Sequence, residues 1–302
     1  MSTSYHVAVI GLGAMGMGAA RSCLRAGLTT YGIDLSEQAR SQLQQAGAAA
    51  VMADARPLAE TLDAVLLLVV NAAQVRRILF GEEELARHLK PGTAIMVSST
   101  IAAEEASTLA AELAQLGLPM LDAPVSGGAI KADAGEMTVM AAGSDAAFDK
   151  LAPVLDAVSG KLYRVGSEPG QGSTVKIIHQ LLAGVHIAVA AEAMALASRA
   201  GVSLDLMYDV VTHAAGNSWM FENRMPRVLT GDYQARSAVD IFVKDLTLVA
   251  DTAKALRFPL PLASTALNMF LGASNAGHGQ EDDSAVIKIF SGIQLPGQED
   301  QA

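Results

Sequence analysis

The chain has 302 residues, is 51% hydrophobic and carries 31 acidic against 21 basic residues, a formal charge of −10. That length holds about two domains with a sizeable core. The acidic balance argues against a broad nucleic-acid surface, while a local basic pocket for an anion stays open. The single cysteine, Cys23, excludes an intrachain disulfide and a cysteine-based metal site. It reads as helix packing. The opening "MSTSYHVAVIG" lacks the basic segment and longer apolar run of a secretory signal. Residues 64–70, "AVLLLVV", are too short to span a bilayer and read as a buried strand. The expectation is a soluble cytoplasmic protein with neither a membrane nor a nucleic-acid partner.

In chain order, "HVAVIGLGAMG" begins as a short valine-rich run, ends in glycines, and leads into an alanine-rich helical segment. "TTYGIDLS", "AAAVMA", "DAVLLLVV" and "TAIMVSST" are further short strands. Helical stretches such as "SEQARSQLQQAG" and "AAEEASTLAAELAQLG" lie between them. This alternation predicts parallel sheet units covered by helices, an α/β class. "GLPMLDAPV", "EMTVMAAG" and "KLYRVG" extend the sheet.

The character changes at residue 172. One proline-free helix is predicted over residues 172–199, roughly 42 Å long at 1.5 Å per residue. That exceeds the usual globular helix and suits an interdomain spine or a subunit contact. "LDLMYDVVTHAAG", "VDIFVKDLTLVADTAKALRF" and "PLASTALNMFLGASNAG" also read as helices. The second half is therefore expected to be all helical. The boundary falls in "VGSEPGQG", giving domains 1–168 and 169–302. The polar tail after Pro296 is expected to be loose.

"GLGAMG" follows a predicted strand and opens a predicted helix, the context a dinucleotide-binding loop requires. Gly11 suits the tight turn, Gly13 close approach of backbone to a pyrophosphate, and Gly16 close helix packing. Leu12, Ala14 and Met15 complete the loop, and the helix N-terminus favours phosphate charge. Asp34 ends the next strand, 21 residues after Gly13. Its carboxylate suits a ribose diol and repels a 2′-phosphate, and Leu35 and Ser36 bring no compensating cation. The expected cofactor is NAD rather than NADP. An ordinary glycine-rich turn and a solvated turn aspartate are the competing readings.

The next strand exits at Val69 and Val70, an apolar surface for the cofactor. Asn71 and Gln74 either contact it or cap the strand end. Thr100, after the following strand, suits the nicotinamide or its ribose, and a helix cap by Ser99 or Thr100 competes. In "LDAPVSGG", Pro124 restrains a turn, and Ser126, Gly127 and Gly128 offer backbone donors beside a hydroxyl, a nest for a carboxylate. Asp122 reads as an internal cap.

Lys176 and Gln180 are four residues apart and share a helix face; His179 borders it. A lysine in apolar surroundings either reaches solvent along its stem or transfers protons with a tuned pKa. In alcohol oxidation it would accept the hydroxyl proton; in carbonyl reduction it would donate it. The nicotinamide carries the hydride chemistry, and no metal is needed. His179 alone reads as a packed or capping histidine. Asn217, in "AAGNSWMF", reads first as a helix-end cap and second as a distal pocket residue.

"VIGLGAMG", "DAPVSGG", "GQGSTVK" and "VKDLTLV" together resemble the β-hydroxyacid dehydrogenase family, also called 3-hydroxyisobutyrate dehydrogenase-related, over nearly the whole chain. The resemblance implies a Rossmann-type domain followed by a helical domain, assembly as homodimers or homotetramers, and an active site in an interdomain cleft. It gives Lys176 the proton-transfer role, residues 126–128 the substrate carboxylate, and Thr100 and Lys244 cofactor contacts. Asp245 would organise the site. The family commonly has asparagine where this chain has Gln180. The neighbouring "HQLLAGVHIAVAAEA" resembles a branch that oxidises L-threonate at C2 to 2-dehydro-L-erythronate. There His179 and Gln180 would receive a hydroxylated acid. Other small hydroxyacids (D-threonate, glycerate or tartronate semialdehyde, 3-hydroxyisobutyrate), an imine reductase and an NAD-binding regulatory protein remain the alternatives.

Overall fold

The structure, a computed structural model, describes residues 4–82 and 84–296. The expectation about the tail after Pro296 lies outside these residues. The chain divides between Lys176 and Ile177 into two compact units.

The first unit is built on a nine-stranded sheet. Its first six strands are β1 (His6–Ile10), β2 (Thr29–Ile33), β3 (Ala50–Met52), β4 (Ala64–Leu67), β5 (Ala94–Val97) and β6 (Met120–Asp122). They lie in the order β3-β2-β1-β4-β5-β6, all parallel. This is the doubly wound Rossmann arrangement, with the switch in direction between β1 and β4. Strand residues alternate between two cores. Val7, Val9 and Leu66 face one, with Cys23 and Ala20 of α1 (Ala14–Arg25). Ala8, Ile10 and Val65 face the other, with Val75 and Leu79 of α3 (Ala72–Phe80) and Leu109 of α5 (Ala103–Gln115). Helices on both faces explain why the strands read as unbroken apolar runs. Cys23 is buried in this packing, and burial pushes its thiol up to about 12, which suits an inert core residue.

An all-parallel sheet does not hold beyond β6. The short strand β7 (Val125–Ser126) and β8 (Met137–Ala142) pair antiparallel, as do β6 and β8; β9 (Ser159–Gly166) returns parallel to β8. The sheet is mixed. The reversal comes from tight local connections: α6 (Gly128–Ala134) joins β7 to β8 through Gly135 at φ +73°, leaving no room for a parallel crossover.

The second unit is helical, and a long helix, α8 (Gln171–Arg199), leads into it. Then come α9 (Leu204–Thr212), α10 (Trp219–Thr230), α11 (Val239–Ala255) and α12 (Pro261–Ala273). A one-turn π segment, Ser274–His278, and a 3-10 segment, Asp283–Ile289, follow. Ile187, Ala191 and Met194 of α8 pack with Phe221, Phe242, Leu246 and Phe270 in one core. Gly184 lets α11 come close, since a Cβ there would stand 2.8 Å from Leu246 Cδ2. α8 is also long and apolar enough to cross a membrane, but half of that stretch is buried within the protein, as in a core helix.

Two buried ion pairs tie α10 to the 3-10 segment. Arg224 grips Asp283 with two bonds of 2.6 and 3.0 Å, and Arg227 meets Asp282 at 2.5 Å. Both carboxylates are fully buried.

Candidate active site

The glycine loop lies at the carboxyl end of β1, beside the topological switch point where such sheets bind ligands. Each glycine has its own reason. Gly11 sits at φ +91°, and a Cβ would press on the Leu68 carbonyl at 2.7 Å and on Val69 Cγ1 at 2.9 Å. Gly16 needs its bare Cα because a Cβ would overlap the Gly11 carbonyl oxygen. Gly13, the N-cap of α1 with φ −64°, faces open space, with nothing within 4 Å of a built Cβ. That open space leaves the N-terminus of α1 accessible to a phosphate group. A cleft of about 310 Å³ opens here, lined by Leu12, Gly13, Ala14, Met17 and Arg21 among others. Met15 lies in the first turn of α1 and is half-buried.

Asp34 is drawn to the same loop. Its Oδ2 accepts from the Leu12 amide and its Oδ1 from the Ser36 amide, both at 2.7 Å. The first bond ties the ribose-binding candidate to the phosphate-binding loop. Arg40 folds back onto the carbonyls of Asp34 and Leu35 at 2.7 and 2.9 Å, a placement that the residues adjoining Asp34 did not reveal. Val69 is half-buried beside Gly11, and Val70 is exposed. Asn71 caps α3 by accepting from the Gln74 amide at 2.9 Å, and Gln74 Oε1 accepts from the Val70 amide at 2.8 Å. Both polar side chains therefore shape this strand exit. Thr100 is half-buried past β5. Neither it nor Ser99 is the N-cap of α5, which is Ala102. Ser99 Oγ is buried with no partner among the described residues.

The Ser126–Gly128 turn and the lysine helix are both close in sequence to contacts of one residue. Asp122, at the end of β6, is fully buried. Its Oδ2 accepts from the amides of Gly170 and Ser173, each at 2.8 Å, and its Oδ1 from Ser173 Oγ at 2.7 Å. Burial raises its pKa, and the bonds from Ser173 and Gly170 only partly oppose this. Asp122 thus caps the start of α8, rather than its own turn as expected. Gly172 permits the contact, since a Cβ there would stand 2.6 Å from the Met140 carbonyl oxygen. Four residues past Asp122 come Ser126, Gly127 at φ +129° and Gly128 at φ +70°. The two positive φ values turn the chain from β7 directly into α6. Three residues past Ser173 comes Lys176, 6% exposed. The head of a lysine so buried does not simply reach solvent along its stem.

In the second unit, four side chains form a polar chain. Lys244 Nζ lies 2.7 Å from Asp245 Oδ1. Asp245 Oδ2 accepts from Gln180 Nε2 at 2.5 Å, and Gln180 Oε1 lies 3.0 Å from His179 Nδ1. Asp245 and Gln180 are buried; His179 is half-buried. Asn217 is not the cap of α10, which is Ser218, accepting from the Phe221 amide at 3.1 Å. Asn217 Nδ2 points to Glu222 at 3.4 Å, and its buried Oδ1 has no partner among the described residues. Sequence reasoning missed the Arg224–Asp283 and Arg227–Asp282 pairs. The available signal was two arginines three apart on a helix whose neighbours Phe221, Met225 and Val228 are apolar.

Comparisons with known proteins agree with this architecture. The family described as the NAD binding domain of 6-phosphogluconate dehydrogenase matches residues 6–166. The family described as NAD-binding of NADP-dependent 3-hydroxyisobutyrate dehydrogenase matches residues 170–290. The chain is 72% identical over 295 residues to an L-threonate dehydrogenase of Escherichia coli, covering 98% of each chain. It is 67% identical over 293 residues to an L-threonate dehydrogenase of Haemophilus influenzae, covering 97% of each. A crystal structure described as 3-hydroxyisobutyrate dehydrogenase from Salmonella typhimurium has a TM-score of 0.92 at 70% identity, covering 95% of this chain and 100% of that one.

Proposed function

Because the chain belongs to the 3-hydroxyisobutyrate dehydrogenase-related family of NAD-dependent oxidoreductases, we propose that it oxidises L-threonate at C2 to 2-dehydro-L-erythronate. The observation that carries the reading is full-length identity of 67–72% to L-threonate dehydrogenases of several bacteria. The polar chain through His179, Gln180 and Asp245 supports it, since a polyhydroxylated acid needs hydrogen-bonding partners that an aliphatic one does not.

The residues divide by role. Gly11, Leu12, Gly13, Ala14, Met15 and Gly16 would hold the pyrophosphate at the start of α1, and Asp34 the adenosine ribose. Val69, Val70, Gln74, Thr100 and Lys244 would hold the rest of the cofactor. Bound NAD supplies the hydride acceptor. Ser126, Gly127 and Gly128 would take the substrate carboxylate. Lys176 would accept the C2 hydroxyl proton, so that the alcohol is deprotonated as its carbon is oxidised. Asn217 Oδ1, a buried acceptor without a partner among the described residues, would receive a distal hydroxyl. The functional domains would be 1–168 for the cofactor and 169–302 for substrate and assembly, in a cytoplasmic protein.

The protein would act as a homodimer or homotetramer. Ile178, Leu182, Val189 and Leu196 follow one face of α8, each more than half exposed, and burial of such a stripe favours association. Light scattering in solution tests this; a monomeric mass rejects it.

The function is tested with L-threonate, D-threonate, glycerate, tartronate semialdehyde and 3-hydroxyisobutyrate, each with the appropriate redox form of NAD and NADP. L-Threonate with NAD should give the highest kcat/KM. Preference for another acid, or for NADP, contradicts the reading.

A further inference from the structure

The turn that carries Asp34 holds two opposite charges that are not paired with each other. Asp34 Oδ2 and Oδ1 accept from the Leu12 and Ser36 amides, both at 2.7 Å. Arg40 lies on the helix that follows, α2 (Glu37–Gln45). Its Nη1 donates to the main-chain carbonyls of Asp34 at 2.7 Å and Leu35 at 2.9 Å. Those two bonds use both protons of Nη1. Among the described residues no carboxylate pairs with Arg40, and its Nε and Nη2 make no hydrogen bond. The Nε–Nη2 edge is a fork that matches two oxygens of a phosphate. Arg40 is only half-buried.

The two carbonyls set where the cation stands. It is held at the same turn as the carboxylate, but on main chain. An ion pair would have cancelled both charges. Held apart, Asp34 keeps acceptors for a ribose diol and repels a 2′-phosphate, while Arg40 attracts that phosphate. NAD and NADP differ only in this group, so the balance between the two side chains is a balance between cofactors.

Resting on the assignment of Asp34 to the adenosine ribose, we propose that Arg40 is a second determinant of cofactor choice: a guanidinium anchored beside Asp34 that takes the 2′-phosphate of NADP and leaves the protein a residual affinity for it. Asp34 makes NAD the preferred cofactor, and Arg40 limits the margin. When the carboxylate is removed, the Ser36 amide loses its acceptor and joins the Nε–Nη2 edge in donating to the phosphate.

Fluorescence titration of the intact protein with NADH and with NADPH gives two dissociation constants, and their ratio reports the 2′-phosphate alone. In Arg40→Ala the preference for NADH should widen about tenfold, on the order of one charge-assisted hydrogen bond. In Asp34→Ser the preference should narrow by about tenfold or more, and adding Arg40→Ala to Asp34→Ser should undo most of that narrowing. Arg40→Lys, which keeps the charge but loses the fork, should hold the ratio between those of Arg40→Ala and the natural chain. Loss of the carbonyl bonds alone would loosen the turn and weaken both cofactors alike. Such equal weakening overturns the inference, as does a ratio that Arg40→Ala leaves untouched. The ribose assignment fails separately, by an unmoved ratio in Asp34→Ser, while Arg40→Ala in the natural chain still decides the role of Arg40.

Discussion

In the first unit, recognition is built from backbone: three glycines, a helix start and the Leu12 amide, with Asp34 drawn in by a 2.7 Å bond. In the second, the candidate site is built from side chains, where Lys244 pairs with Asp245 and Asp245, Gln180 and His179 are joined by hydrogen bonds, Gln180 and Asp245 standing 65 residues apart in sequence. A backbone site depends on the absence of atoms and fails when a methyl group is added. A side-chain site depends on charges and reach, and fails when a partner is shortened or neutralised. The two regions should therefore respond to different substitutions.

The largest effect is expected where side-chain chemistry is most exposed to loss. Lys176→Ala should reduce kcat by about 10³-fold, within the usual range for removal of a general base, while calorimetric titration shows NAD binding retained. Near-normal turnover in the folded variant would remove the lysine from the chemistry.

Next comes the dependence of the helical unit on buried ion pairs. Burial pushes Asp282 up, but the bonds from Arg227 and Ser284 outweigh it and hold the carboxyl below its ordinary value. As pH falls, the unfolded chain takes up this proton first, so the pair's contribution is intact above the unfolded pKa of about 3.9 and lost as pH drops through the native value. Asp283 runs the other way: burial exceeds the effect of Arg224 and raises it, so its contribution declines as pH rises from the unfolded value. Asp282→Asn should cost roughly 3 kcal/mol at neutral pH, with the thermal midpoints of variant and wild type converging below about pH 4. A constant difference across that range contradicts the assignment.

The smallest and sharpest test divides two neighbouring glycines. Gly16→Ala, whose Cβ would overlap the Gly11 carbonyl, should lower stability by about 1–3 kcal/mol. Gly13→Ala meets open space at a compatible φ of −64°. It should leave the thermal midpoint of the ligand-free protein nearly unchanged and weaken NAD binding by about tenfold or more. The reverse pattern would mean that Gly13 serves packing.

The same contrast explains what could be read before the structure. Strand alternation, the glycine spacing and Asp34 are local signals, and they led to the α/β unit, the loop and the NAD preference. The long helix was legible because residues 172–199 contain no proline. Other features were hidden because their partners are distant in sequence. Nothing local to β6 shows that Asp122 receives the amides of Gly170 and Ser173. The antiparallel return through β7 and β8 depends on a two-residue strand too short to show a period. Ser99 or Thr100 was open to capping α5 and Asn217 to capping α10, and only geometry shows that the N-caps are Ala102 and Ser218 instead, while Asn71 caps α3.

The central claim concerns which carbon loses its hydrogen when Lys176 takes the neighbouring proton. L-Threonate labelled with 13C at C2, incubated with the protein and NAD and followed by 13C NMR, tests it directly. The labelled alcohol signal should convert to a ketone signal at the same carbon. A label that stays an alcohol while C3 is oxidised, or an acid left untouched by the folded protein, would contradict the account.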